Sequence, residues 1–333
     1  MARIQISARA WLAAAMLAFG GSAAAQTPEE LQKTCLDPTP PDPRIEACTA
    51  AIQSGRLLGA PLAAVLASRG IAYSLKGQMD PAVRDYDAAL AIKPDFPAVL
   101  LKRGLAFRVQ GHADKALADF DEAIRLDPKL AAALVDRASI YHAKGKEDQA
   151  LADVNRALEI NPRIALALWL RGVISATGGQ FDRAIQDFNA ALSIDPNLVR
   201  AYHDRGYAYT RTNRPEQALK DFDAVVRLAP NNAESYYNRG VMQRTTGHPD
   251  LAIADFDRTV QIDPRYFAAY NNRAYLFLSK QDYAKAIKDF DEAIRLHPDY
   301  PNAYSGRAQA YRAIGQGARA DADAAKARQA VSK

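Results

Sequence analysis

Apolar and small residues along this chain fall three and four positions apart in blocks of about a dozen residues, the spacing that gathers them on one stripe of an α-helix. Ala98 to Gln110 and Lys115 to Leu126 are two such blocks, each long enough for three turns. A short break separates them and recurs along the chain, carrying Gly77, Gly111, Gly145, Gly179, Gly247 or Gly315. Glycine takes a left-handed backbone without steric cost, which suits a tight turn between two helices. Asn213 can do the same in its break, whereas Gln281 is a misfit. Each second block ends before a proline, at Pro94, Pro128, Pro162, Pro196, Pro230, Pro264 and Pro298. Proline disfavours helical geometry in the residue before it, so the pattern predicts an all-α chain of helical hairpins with fixed stops.

Three residue types keep a period of 34 through this alternation. Arginine does so at Arg69, Arg103, Arg137, Arg171, Arg205, Arg239, Arg273 and Arg307, and alanine at Ala82, Ala116, Ala150, Ala184, Ala218, Ala252, Ala286 and Ala320. Aspartate does so at Asp85, Asp119, Asp153, Asp187, Asp221, Asp255, Asp289 and Asp323. Such a period signals supersecondary units stacked in line, so an elongated body of local contacts is expected in place of one globular core. Gly70, Gly104, Gly172, Gly206 and Gly240 allow close helix approach, and aromatic residues such as Phe107 and Phe120 plug the gaps between units. The arginine and aspartate series lie one on each helix and are expected to meet in every unit as an ion-pair ladder that orients the helices.

From residue 63 onward the pattern resembles the tetratricopeptide repeat family: small residue eighth, aromatic eleventh, glycine fifteenth, alanine twentieth, aromatic twenty-fourth, proline thirty-second. Departures are local, with Ser175 and Gln243 at the eleventh position, Val154 at the twenty-fourth, and Val225 and Thr259 at the twenty-seventh. The resemblance implies a right-handed superhelical solenoid of stacked hairpins, with units at 63–96, 97–130, 131–164, 165–198, 199–232, 233–266 and 267–300, and a terminal unit and cap at 301–333. It also implies a concave groove lined by first helices. At the groove positions stand Leu101, Leu105, Val135, Trp169, Leu170 and Val173 in an apolar early half. The later half offers His203, Asp204, Tyr207, Tyr237, Asn238, Asn271, Asn272 and Tyr275, with Arg200, Arg211 and Arg244 nearby. Tyrosine, asparagine and arginine suit recognition of a protein surface, and the same positions also suit packing between first helices. Some family members grip a C-terminal carboxylate with a lysine and asparagine pair; here Leu101 and Leu105, or Val135 and Ser139, stand in that place, so that mode is not expected.

Residues 1–25 break the pattern. Arg3 and Arg9 precede an apolar stretch from Trp11 to Phe19, and Gly21, Ser22, Ala23, Ala24 and Ala25 follow, as in a secretory signal peptide cleaved before Gln26. The stretch is about half the ~20 residues that a membrane span needs. Export, to the periplasm in a two-membrane bacterium, favours pairing Cys35 with Cys48 across Pro38, Pro40, Pro41 and Pro43, read as a stiff extended loop. The alternative, a metal or redox pair, is disfavoured by the wide spacing and by the lack of histidine before His112. Residues 26–62 are expected to form a disulfide-pinned cap in which Arg44 to Ile52 is a lone second helix.

Charge narrows the function. The formal net charge of +5 drops to +3 without Arg3 and Arg9, with no basic run of five, which argues against nucleic acid and against a polybasic membrane anchor. No two histidines share the three- or four-residue helical spacing of a metal site, and uninterrupted repeats leave no long loop to hold a nucleophile and its base. No cofactor and no enzymatic activity are expected. The leading expectation is a periplasmic adaptor that binds a protein or extended peptide in the groove; the alternative is a structural or self-assembling envelope component acting through the convex face.

Overall fold

The breaks fold as tight turns, and the alternation of blocks becomes a succession of helical hairpins. A computed structural model of the protein describes residues 28–37 and 40–331; the expected leader and its cleavage point lie outside the described residues. Among the described residues there are eighteen α-helices and no strand. Contacts divide the chain into two compact units, one running to Ile140 and one beginning at Tyr141.

The first unit holds α1 (Pro28–Leu36), α2 (Pro41–Gln53), α3 (Gly59–Leu75), α4 (Met79–Ile92), α5 (Pro97–Val109), α6 (Ala113–Leu126) and most of α7 (Ala131–Ala143). The cap differs from the sequence reading in two respects. It is a pair of helices, since α1 precedes α2, and Pro41 and Pro43 open α2 where the expectation was an extended loop. A missing N–H is harmless in a first helical turn, so prolines start this helix as readily as they would stiffen a loop. Cys35 and Cys48 are disulfide-bonded. They are fully buried with Ala47, Ala51 and Val65, and Ser68 Oγ on α3 donates to the Cys35 carbonyl at 2.6 Å.

The second unit continues from α7 with α8 (Glu147–Ile160), α9 (Ala165–Thr177), α10 (Phe181–Ile194), α11 (Val199–Arg211), α12 (Pro215–Leu228) and α13 (Ala233–Thr245). It ends with α14 (Pro249–Ile262), α15 (Phe267–Ser279), α16 (Tyr283–Leu296), α17 (Pro301–Ala313) and α18 (Gly317–Val331). Here α9 pairs with α10, α11 with α12, and so on to α17 with α18, and each second helix also packs on the next first helix.

One close approach sets the spacing inside a hairpin. A methyl group at Gly172 would lie 2.6 Å from Phe188 Cε1, and Gly70 and Gly104 stand in the same relation to Tyr86 and Phe120. The small eighth residue therefore faces the aromatic plug of its own unit, sixteen residues on. At the turn, His112 N–H donates to the Phe107 carbonyl at 2.8 Å and Gly111 takes a φ of +80°. Asn213 and Gln281 take φ of 57° and 61°, so the misfit glutamine adopts the left-handed geometry as well.

Candidate functional site

The charged series resolve into architecture. In the second unit Arg239 donates from Nε and Nη2 to both carboxylate oxygens of Asp255, at 2.8 and 2.7 Å. The same fork joins Arg171 to Asp187, Arg205 to Asp221, Arg273 to Asp289 and Arg307 to Asp323, and in the first unit Arg69 to Asp85 and Arg103 to Asp119. These aspartates are buried, and two parallel charge-assisted bonds satisfy them. Hydrogen bonding to Asp255 raises the Arg239 pKa above the usual arginine range despite burial.

The third nitrogen reaches backwards. Arg239 Nη1 donates to Asp223 on the preceding second helix at 3.0 Å, as Arg205 does to Asn189 at 2.6 Å and Arg103 to Asp87 at 2.6 Å. These acceptors belong to a fourth series missed in the sequence: Asp87, Asp121, Asn155, Asn189, Asp223, Asp257 and Asp291. Its period of 34 was visible, but the alternation of aspartate with asparagine hid it from a search for one residue type.

On the first helices the expected groove residues separate by exposure. Leu101, Val135, Leu170 and Asn271 are buried, so packing between helices accounts for these four. Leu105, Trp169, Val173, His203, Asp204, Tyr237, Asn238, Asn272 and Tyr275 are half-buried, while Arg200, Tyr207, Arg211 and Arg244 are exposed. In the first unit the reading missed Leu75 and Val109, exposed at 65% and 64%, although their thirteenth position in the unit faces the groove in the family pattern.

In the second unit the polar residues bond from one first helix to the next. Trp169 Nε1 on α9 donates to Asp204 Oδ2 on α11 at 2.7 Å, and His203 Nδ1 lies 3.1 Å from Asp204 Oδ1. Asn238 Nδ2 on α13 is 3.2 Å from His203 Nε2. Further along, Asn272 on α15 donates to Tyr237 Oη at 3.0 Å and accepts from Arg244 Nη1 at 2.8 Å, and Tyr275 Oη donates to the Asn302 carbonyl of α17 at 2.8 Å. The hydrogen bond to Asp204 raises the His203 pKa above 6.5, and it outweighs burial, which acts the other way. Much of the polar stripe thus aligns its own helices.

Tyr207 and Arg211 stand apart from that stripe. They border a cleft of about 360 Å³ between α9 and α11, whose apolar wall is Val173, Ala176 and Phe181. Arg211 lies 4.8 Å over the Phe181 ring and donates to Tyr207 Oη at 2.9 Å. A larger cleft, about 740 Å³, opens on the second-helix side between α14 and α16. Apart from Lys288, its charged lining residues are already matched: Arg273 with Asp289 and Asp257, Lys285 with Asp282, and Glu292 with Arg295.

The repeat geometry is shared with known proteins. Sequence profiles described as TPR repeat match residues 176–213 and 274–315, and those described as tetratricopeptide repeat match residues 69–131, 101–163 and 203–267. No curated protein sequence matches the chain. Among solved structures, YrrB, a TPR protein with an unusual peptide-binding site, is 24% identical, with a TM-score of 0.51 over 55% of this chain and 95% of that one. A tetratricopeptide repeat protein from Parabacteroides merdae is 23% identical, with a TM-score of 0.50 over 74% of this chain and 97% of that one. The APC/C hetero-tetramer Cut9–Hcn1 gives a TM-score of 0.59 at 15% identity, over 81% of this chain and 52% of that one. These likenesses are likenesses of fold.

Proposed function

The chain belongs to the tetratricopeptide repeat family, a family of scaffolds for protein interaction, and on that premise we propose that it is an exported adaptor. It holds an extended peptide or a protein surface against its first helices and carries out no reaction of its own. In a two-membrane bacterium its compartment is the periplasm. The leader pattern at residues 1–25 and the Cys35–Cys48 bond both suit an oxidising compartment.

The observation that carries the reading is the pairing of Tyr207 and Arg211 beside the cleft between α9 and α11. Tyr207 is 49% exposed, a rigid amphipathic ring presented to solvent next to a guanidinium and an apolar recess. Such anchors dominate protein interfaces. The test is a photoreactive residue in place of Tyr207, used in the native compartment, with the same residue at exposed Lys220 on α12 as control. Capture of one partner from position 207 and none from 220 is expected, together with at least a ~10-fold loss of partner affinity in Arg211→Ala. Capture from position 220 alone would move binding to the second-helix side.

A further inference from the structure

Two arginines of α11, Arg200 and Arg211, stand outside the repeat pattern. The other seven units have no basic residue at the second or the thirteenth position, so the stacking of hairpins demands neither guanidinium. Both side chains lie over aromatic rings. Arg200 sits 4.9 Å above the Trp169 ring on α9, and Arg211 sits 4.8 Å above the Phe181 ring that opens α10. Among the described residues neither lies within ion-pair distance of a carboxylate, whereas Arg205 between them is held by the Asp221 fork. A guanidinium stacked on a ring keeps N–H donors along its edge to grip an oxyanion. Asp204 stands between the two cations on the same helix, but its oxygens are already engaged, one by Trp169 and the other by His203.

Arg200, Asp204, Tyr207 and Arg211 follow one another at helical spacing and form one stripe of α11. The helical rise puts the backbones of the two arginines ~16 Å apart along the axis. An extended chain covers that distance in about five residues. The apolar cleft opens on this stripe beside Asp204, Tyr207 and Arg211, with Val173, Ala176 and Phe181 as its wall.

We propose that the seam between α9 and α11 selects an extended peptide segment with two acidic side chains spaced to meet Arg200 and Arg211 together. An apolar side chain between the two acids enters the cleft against Phe181. The cleft supplies the attraction, and the two cations fix the sign and the spacing of what is held. The carboxylates are side chains within a segment, so a free chain terminus is not required. A peptide is favoured over nucleic acid because the space beside Tyr207 is walled by apolar side chains and takes one in return. The inference rests on the adaptor reading of Tyr207 and Arg211 and names the chemistry of its partner.

The test uses the mature chain and a synthetic peptide with glutamates about five residues apart, phenylalanine between them and serine elsewhere. Its ends are acetylated and amidated, so that only side-chain carboxylates are offered. Binding is read by anisotropy of an attached fluorescein, and for the unlabelled peptide by emission of Trp169, the one tryptophan beyond residues 1–25, which an anion on Arg200 perturbs. Affinity should fall at least ~10-fold with lysine in place of glutamate, and ~5-fold when the two glutamates are made adjacent at unchanged charge. Arg200 is exposed and belongs to no ion pair of the ladder, so Arg200→Gln leaves the fold intact; it should cost ~10-fold in affinity, and Arg200→Lys should restore part of the loss. Equal affinity for the glutamate and lysine peptides, equal affinity for spaced and adjacent glutamates, or unchanged affinity in Arg200→Gln overturns the proposal, as does a thymidine oligonucleotide bound as tightly as the peptide. Failure of the acidic peptide alongside capture of one partner from position 207 removes this specificity alone; failure of both removes the adaptor reading.

Discussion

Gln281 is the residue whose backbone most contradicts its chemistry. At φ 61° it occupies the left-handed region that costs a residue with a Cβ about 1–2 kcal/mol, in a turn where the other repeats place glycine or asparagine. Gln281→Gly should therefore raise stability by ~1 kcal/mol in denaturant unfolding, after allowing for glycine's greater freedom in the unfolded chain. Asn213→Gly should change little. His203 offers a titration at the same scale. Its pKa is raised by the hydrogen bond to Asp204, so its stabilising contribution is complete below the unfolded value and is lost as pH rises through the folded value, above 6.5. Asp204 also accepts from Trp169, while Glu234 and Asn238 face the imidazole from α13 and the Phe222 ring from α12. Trp169 emission in the mature chain should accordingly change with a midpoint above 6.5, and His203→Gln should abolish that titration.

Between elements, the three-way arginine is the recurring joint. Arg239→Met would leave Asp255, 4% exposed, without its partner and free Asp223 as well, and should cost ~3–5 kcal/mol. The double variant Arg239→Met/Asp255→Leu should recover most of that loss, because the unpaired buried carboxylate is then gone. A double-mutant cycle by chemical denaturation measures both. The fork between Arg239 and Asp255 was legible in the sequence, since two charged series in one register on paired helices must meet. Its backward branch was not, because position 25 of the unit accepts either oxygen-bearing side chain. The first-helix positions show a related limit. Whether Asn271 reaches a groove or packs beneath it depends on the neighbouring helix, and Asn271 is 4% exposed. Likewise α1 was hidden by the prolines after it, which read as loop in isolation yet begin α2 against a buried disulfide.

For the chain as a whole, stability is expected to be a sum of unit and neighbour terms, with weak points where a term is missing. The cap is such a point, being two short helices held by the Cys35–Cys48 bond over Ala51 and Val65. In the chain-entropy description a loop of this length contributes ~3 kcal/mol. Reduction should make α1 and α2 unfold at lower denaturant than the repeats, seen as an early loss in hydrogen-exchange protection confined to residues 28–53. The repeats themselves carry a different consequence of the backward-reaching guanidinium. Because an arginine such as Arg239 reads one acceptor sixteen residues ahead and another sixteen behind, a gene could lengthen or shorten this part of the array only by whole multiples of 34 codons. Duplicating one unit supplies every donor with both acceptors, whereas an insertion of any other size strands a cation at the seam. The ladder thereby acts as a ruler that lets the array change its length while forbidding a change of register.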